Sequence, residues 1–180
     1  MNTQGYFPLG GSAVSAGRAT ATCYCGAVQL ELPVEGEDLY TTAICNCTDC
    51  RKITASTFSS IVAVADRSVK FVRGKDNLTK FTMRKTIASG NSMDSHFCKT
   101  CGTLMYRCNT ESNGILALRI GTVDDFALQA TKLKPQMEVF CKDRVPWVSC
   151  GPDILQFDGN VTSQGLIDNV EVWKSQIPKV

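Results

Sequence analysis

From Cys25 the chain reads CGAVQLELP, with Val28, Leu30 and Leu32 on one side of an alternation and Gln29 and Glu31 on the other. A period of two predicts a half-buried strand that ends at Pro33. EGED (35–38) follows as a turn, and TFSSIVAVA (57–65) reads as a second, more apolar strand. DRSVKFVRGKDNLTKFTM predicts two short strands, Val69–Val72 and Leu78–Met83, joined by a Gly-Lys-Asp-Asn turn. GILALRIG (114–121) is a short apolar run bounded by glycines, which favours a buried strand over a helix, and MEVFCK (137–142) is a further strand candidate. VDDFALQA (123–130) predicts a short helix, and TSQGLIDNVEVWKSQ (162–176) a possible short C-terminal one. Many short strands separated by turn signals indicate a mainly β domain.

At 180 residues the chain is long enough for one domain with a real core and short for two. Residues 1–20 read as a flexible N-terminal extension rich in Gly, Ser and Ala, 21–150 as the domain, and 151–180 as a C-terminal extension packing on it. The N-terminus has no charged segment leading into an apolar core, so no signal peptide is expected. No apolar run approaches the ~20 residues of a membrane span. A formal charge of +2, with Lys and Arg scattered in runs of two at most, gives no basic surface for nucleic acid.

Ten cysteines change the picture. Without a secretory signal the expected compartment is the reducing cytoplasm, where clustered thiols serve as metal ligands or catalysts. Three groups stand out: Cys23-Tyr-Cys25-Gly, Cys45-Asn-Cys47-Thr-Asp-Cys50, and Cys98-Lys-Thr-Cys101-Gly. On an extended segment Cys23 and Cys25 would project to one face, and their Cα atoms, roughly 6.6 Å apart, sit near the upper limit for a disulfide. Cys-x-x-Cys-Gly is a turn that presents two sulfurs together. All-sulfur ligation with one histidine in the chain favours zinc, with an iron–sulfur cluster as the rival.

Seven thiols divide most naturally as four plus three. Cys23, Cys25, Cys98 and Cys101 can close a structural site. Cys45, Cys47 and Cys50 would hold a second zinc with one position open, the pattern of a catalytic ion. Four thiolates on Zn²⁺ leave about −2 and three leave about −1, which Arg51 and Lys52 can offset. A fourth protein ligand, Asp49 or His96, would instead make the second site structural. Cys108, Cys141 and Cys150 read as buried thiols without chemistry. His96, Trp147 and Trp173 read first as packing residues.

CYCGAVQLEL, CNCTDCRK followed by TFSSIVAV, VKFVRGKDNLTKF, HFCKTCGTLMY, IGTVDD and PQMEVFCKDRVPW, in this order, resemble the glutathione-dependent formaldehyde-activating enzyme family, also called the centromere protein V-type domain. The resemblance covers roughly residues 20–148. It implies a β-tent fold, a structural zinc on Cys23, Cys25, Cys98 and Cys101, and a second zinc on Cys45, Cys47 and Cys50 near the glutathione thiol. The activity implied is carbon–sulfur lyase chemistry, the reversible joining of glutathione to formaldehyde. Asn46 stands where the family usually has a histidine, and Glu138 falls at about the position of another. The expectation is therefore a zinc-dependent carbon–sulfur lyase using glutathione. Its catalytic centre is Cys45, Cys47 and Cys50, with Arg51 and Lys52 receiving substrate carboxylates. Glu138 and His96 are the nominees for general base. The alternatives are a tailoring lyase or isomerase acting on a larger metabolite or its glutathione adduct, and a non-catalytic zinc module that binds a protein.

Overall fold

The computed structural model describes residues 15–87, 90–109, 114–151 and 153–161. In chain order the elements are β1 (Arg18–Thr22), β2 (Gln29–Pro33), β3 (Leu39–Cys45), helix α1 (Thr48–Thr54), β4 (Ser59–Ala65), β5 (Lys70–Arg73), β6 (Leu78–Met83), β7 (Met93–Cys98), β8 (Leu104–Asn109), β9 (Ile115–Arg119), helix α2 (Phe126–Ala130), β10 (Met137–Val139) and β11 (Leu155–Phe157). The fold is mainly β, as the strand pattern predicts. The strands form a small sheet in the order β1-β2-β5 and a large one in the order β11-β10-β3-β4-β9-β8-β7-β6. Pairing is antiparallel except at β10, which runs parallel to both β3 and β11. The expected C-terminal helix and Trp173 lie outside the described residues.

Period-two patterning divides the interior into two cores on opposite faces of the large sheet. On β4, Val62 and Val64 belong to the first core, together with Leu118, Tyr106 and the small sheet's Leu30 and Leu32. Ile61, on the opposite face of the same strand, packs with Ala43, Cys45, Cys50, Met137 and Val139 in the second. Leu30, Leu32 and Leu118 are fully buried, each worth about 1.5–3 kcal/mol of transfer free energy.

Four local expectations change. Gln29, expected on the outer face of β2, is completely buried. Its amide nitrogen donates to the Thr22 hydroxyl at 2.9 Å, and its carbonyl accepts from Arg73 at 2.7 Å, so the burial is hydrogen-bonded. Residues 18–20, expected in the N-terminal extension, are strand, because Ala19 and Ala21 tuck their small side chains into the first core. The strands on either side of Gly-Lys-Asp-Asn do not pair with each other: β5 joins β2, and β6 joins β7. Gly74 (φ 72°) makes that crossing between sheets, and a Cβ there would lie 2.0 Å from the carbonyl of Ala27. Lastly, Cys23 and Cys25 lie on a turn after β1 and not on an extended segment.

Candidate metal centres

The first centre joins two distant turns. The amide of Gly26 donates to the Cys23 carbonyl at 2.9 Å, and that of Gly102 to the Cys98 carbonyl at 2.9 Å. Both glycines have positive φ, 80° and 74°, which lets each short loop fold its two sulfurs inward. The Tyr24 amide donates to the Thr103 hydroxyl at 3.1 Å and ties one turn to the other. Cys23 Sγ lies 3.6 Å from Cys25 Sγ, which lies 3.7 Å from Cys98 Sγ. A tetrahedral ion with bonds near 2.3 Å holds its sulfurs roughly 3.8 Å apart, whereas a disulfide needs about 2.05 Å. The four residues therefore fit a zinc ion, and Cys101 completes the set.

Donors already face these sulfurs. Val28 N–H reaches Cys23 Sγ at 3.2 Å, the Asn77 amide reaches Cys98 Sγ at 3.4 Å, and the Thr103 hydroxyl lies 3.2 Å from Cys101 Sγ. Burial alone would raise the Cys101 thiol, but the hydroxyl and amide of Thr103 draw it down to about 6. The thiolate is thus the form these neighbours favour.

The second centre lies on the other face of the large sheet. Cys45 ends β3, Cys47 caps α1 and accepts the Cys50 amide at 3.4 Å, and Cys50 sits in the first turn of that helix. The three sulfurs lie within 4.8 Å of one another, and among the described residues no further histidine, cysteine or carboxylate joins them. Asp49 accepts a hydrogen bond from the Thr86 hydroxyl at 2.6 Å. His96 is on the opposite face: cross-strand pairing places Ser95 beside Arg107, towards Cys50, and His96 beside Tyr106. Its ring stacks on Tyr106 at a centroid distance of 4.3 Å. Neither residue closes the set. Three thiols that can converge on one ion, with nothing else from the protein, fit a zinc site with an open position.

Two residues outside the cysteine motif bring positive charge to this centre. Arg107 and Arg119, on neighbouring strands β8 and β9, are buried. Arg107 Nη1 lies 3.6 Å from Cys50 Sγ, and its Nε donates to the Ser95 hydroxyl at 3.1 Å. Arg119 donates to the Ser59 hydroxyl at 2.5 Å, while its buried Nε has no acceptor among the described residues. Hydrogen bonds from Cys45 and Cys47, assisted by the charges of Arg119 and Arg107, hold the Cys50 thiol well below its ordinary value. Cys45 is pushed up, chiefly because it donates to Cys47 and Cys50. The signal in the sequence was an arginine interrupting a buried apolar strand, GILALRIG, and another in LMYRCN.

Arg51 and Lys52 are in the last turn of α1. Lys52 is exposed, whereas Arg51 is half-buried and donates to the Asp143 carbonyl at 3.2 Å. Glu138 cannot act as a free base. It is completely buried, one oxygen accepts from Asn46 at 2.8 Å, and the other accepts from Arg144 at 2.8 Å. Trp147, expected to pack, is 73% exposed.

Asp94, His96 and Cys108 form a third group of possible ligands, with Cys108 Sγ 3.8 Å from His96 Nε2. Here the carboxylate is already taken. Lys80 lies 3.0 Å from one oxygen, and the Thr82 hydroxyl donates to the other at 2.6 Å.

The sequence model of the family described as glutathione-dependent formaldehyde-activating enzyme matches residues 18–143. Both cysteine centres fall inside that span. A crystal structure of a Rhodobacter sphaeroides protein matches at 21% identity with a TM-score of 0.46, covering 59% of this chain and 88% of that one, a likeness too loose to carry an argument.

Proposed function

The chain belongs to the glutathione-dependent formaldehyde-activating enzyme family, and from that membership we propose a zinc-dependent lyase-type enzyme that reversibly joins glutathione to the electrophilic carbon of an aldehyde such as formaldehyde. The observation that carries this reading is the contrast between the two centres. One has four cysteines and neutral donors. The other has three cysteines, no further protein ligand among the described residues, and two buried arginines. A closed set suits structure and an open set suits chemistry.

Zinc held by Cys45, Cys47 and Cys50 would keep a substrate thiol as its thiolate at neutral pH, or polarise a carbonyl oxygen as a Lewis acid. In the forward direction a sulfur lone pair forms the C–S bond, the carbonyl π pair moves to oxygen, and that oxygen takes a proton from solvent. Nothing is oxidised or reduced. No protein base is required once the thiol is ionised, which agrees with Glu138 being held on both oxygens and His96 facing away. In this reading Lys52, exposed on α1, would receive a carboxylate of an anionic peptide thiol, and Arg51 shares that helix while anchoring it to the Asp143 carbonyl.

A second reading has its own observation. Asn46, between two cysteines of the open set, is bonded to Glu138 and through it to Arg144. This chain occupies positions where the family usually has histidines, so the groups around the open centre are changed although all seven cysteines are kept. That favours an electrophile other than formaldehyde, such as a larger metabolite or its glutathione adduct. Exchange of ¹³C-formaldehyde with its glutathione adduct, followed by NMR, tests the first reading. Acceleration over buffer, lost in Cys47→Ser together with one zinc, is expected. Wild-type exchange no faster than buffer removes formaldehyde, and Cys47→Ser with unchanged zinc and rate removes the catalytic role of the triple.

A further inference from the structure

Charge at the second centre does not balance with the protein alone. Three thiolates and one divalent ion carry about −1. Arg107 and Arg119 add two positive charges, and neither is ion-paired with a carboxylate among the described residues. The sum is about +1, in a place where both arginines are more than nine-tenths buried. A buried charge without compensation is strongly destabilising. One more anion brings the sum to zero.

The first centre gives the contrast within the same molecule. Its four thiolates leave about −2, yet the donors reaching its sulfurs are a backbone amide, an asparagine amide and a threonine hydroxyl. A closed site manages with neutral donors, and among the described residues only the open site has arginine against sulfur. The arginines are also held in place. Ser95 fixes Arg107, and Ser59, the cross-strand partner of Cys45, fixes Arg119. Arg119 Nε remains as a buried donor with no acceptor among the described residues, a costly arrangement unless a ligand atom takes it.

We propose that Arg107 and Arg119 are positioning residues that make the open centre selective for an anionic ligand beside Cys50, and so for a substrate in its thiolate form. This rests on reading the triple as the thiol-binding centre. It goes further by assigning the selectivity to two strand residues outside the cysteine motif. Water, a neutral thiol and imidazole leave the excess positive charge in place, whereas a thiolate removes it.

Cobalt(II)-loaded full-length protein provides the test, since the visible bands of cobalt report a change of ligand without turnover. Thiocyanate, glutathione and imidazole are titrated into wild type, Arg107→Gln, Arg119→Gln and Arg119→Lys, with cobalt content measured in each. Both glutamine variants should bind thiocyanate and glutathione at least about tenfold more weakly, with imidazole unchanged and Arg119→Lys close to wild type. If Arg119→Gln does not fold, Arg107→Gln and Arg119→Lys carry the comparison. Wild type binding thiocyanate but not glutathione, with thiocyanate weakened in the variants, upholds the arginine role and removes the thiol reading. Anion binding equal in wild type and glutamine variants overturns the proposal. So does a wild type that binds neither anion, or loss of cobalt from the triple in both folded glutamine variants.

Discussion

Asn46 donates to one oxygen of Glu138 at 2.8 Å with both side chains completely buried, and Arg144 holds the other oxygen at 2.8 Å. Because Asn46 separates Cys45 from Cys47, a carboxylate on β10 pins the loop that carries the open centre. Arg144→Met should strand that carboxylate and cost towards 3 kcal/mol, the low end for a broken buried pair, since Arg144 keeps 28% side-chain exposure. Asn46→Ala removes an amide that donates to Glu138 and, at 3.3 Å, to the Val139 carbonyl, and should cost about 1–3 kcal/mol. Urea unfolding of the metal-loaded protein gives both values. Costs near zero for both would mean the loop is held by other means.

The first centre bridges Cys25 and Cys98, which are 73 residues apart. A metal held there would close a long loop, so its binding energy would contribute directly to folding. Cys98→Ser should remove one zinc and lower the thermal midpoint far more than Cys47→Ser, which removes the other. Zinc content and calorimetry on the two variants check this. Equal losses would contradict the division into structural and open centres.

Lys52 is exposed, so the contribution to binding proposed for it would be screened by salt. Lys52→Ala should raise KM for glutathione by about two- to fivefold with kcat unchanged, and the difference should shrink at high ionic strength. Steady-state kinetics at two salt concentrations decide it. A fall in kcat at constant KM would place Lys52 in the chemical step instead.

Burial pushes the Tyr106 phenol up to about 12, with the nearby Cys108 adding to the effect. The native state thus favours the neutral phenol. Its contribution to stability is complete below the ordinary value near 10 and is lost as pH rises through about 12. In an ultraviolet titration Tyr106→Phe should delete a late ionisation near pH 12 and leave the earlier ones. Deletion of a step near pH 10 would show that Tyr106 is solvated.

Alternation made β2 legible, since Leu30 and Leu32 mark one face, and the turn at Gly74 marked the boundary before β6. β3 was hidden because Tyr40, Thr41 and Thr42 interrupt any apolar period, and Thr41 and Thr42 are buried by sheet pairing that local sequence does not encode. Helix α1 spans only Thr48–Thr54 and has no apolar stripe. It is defined by the Cys47 cap and by its left-handed end at Ala55. The four-plus-three division of cysteines was readable from spacing because metal ligands recur at short intervals. Arg107 and Arg119 were not, because the face on which a strand arginine lies depends on register with neighbours far away in sequence. The same limit applies to Glu138, whose partner Asn46 is 92 residues distant.

The most direct test is native mass spectrometry of metal per chain, with and without glutathione, on wild type and Cys47→Ser. The account predicts two zinc ions in wild type, and a glutathione adduct that disappears with the second zinc in Cys47→Ser. Two zinc ions with no glutathione adduct, or an adduct that survives loss of the second zinc, would contradict it.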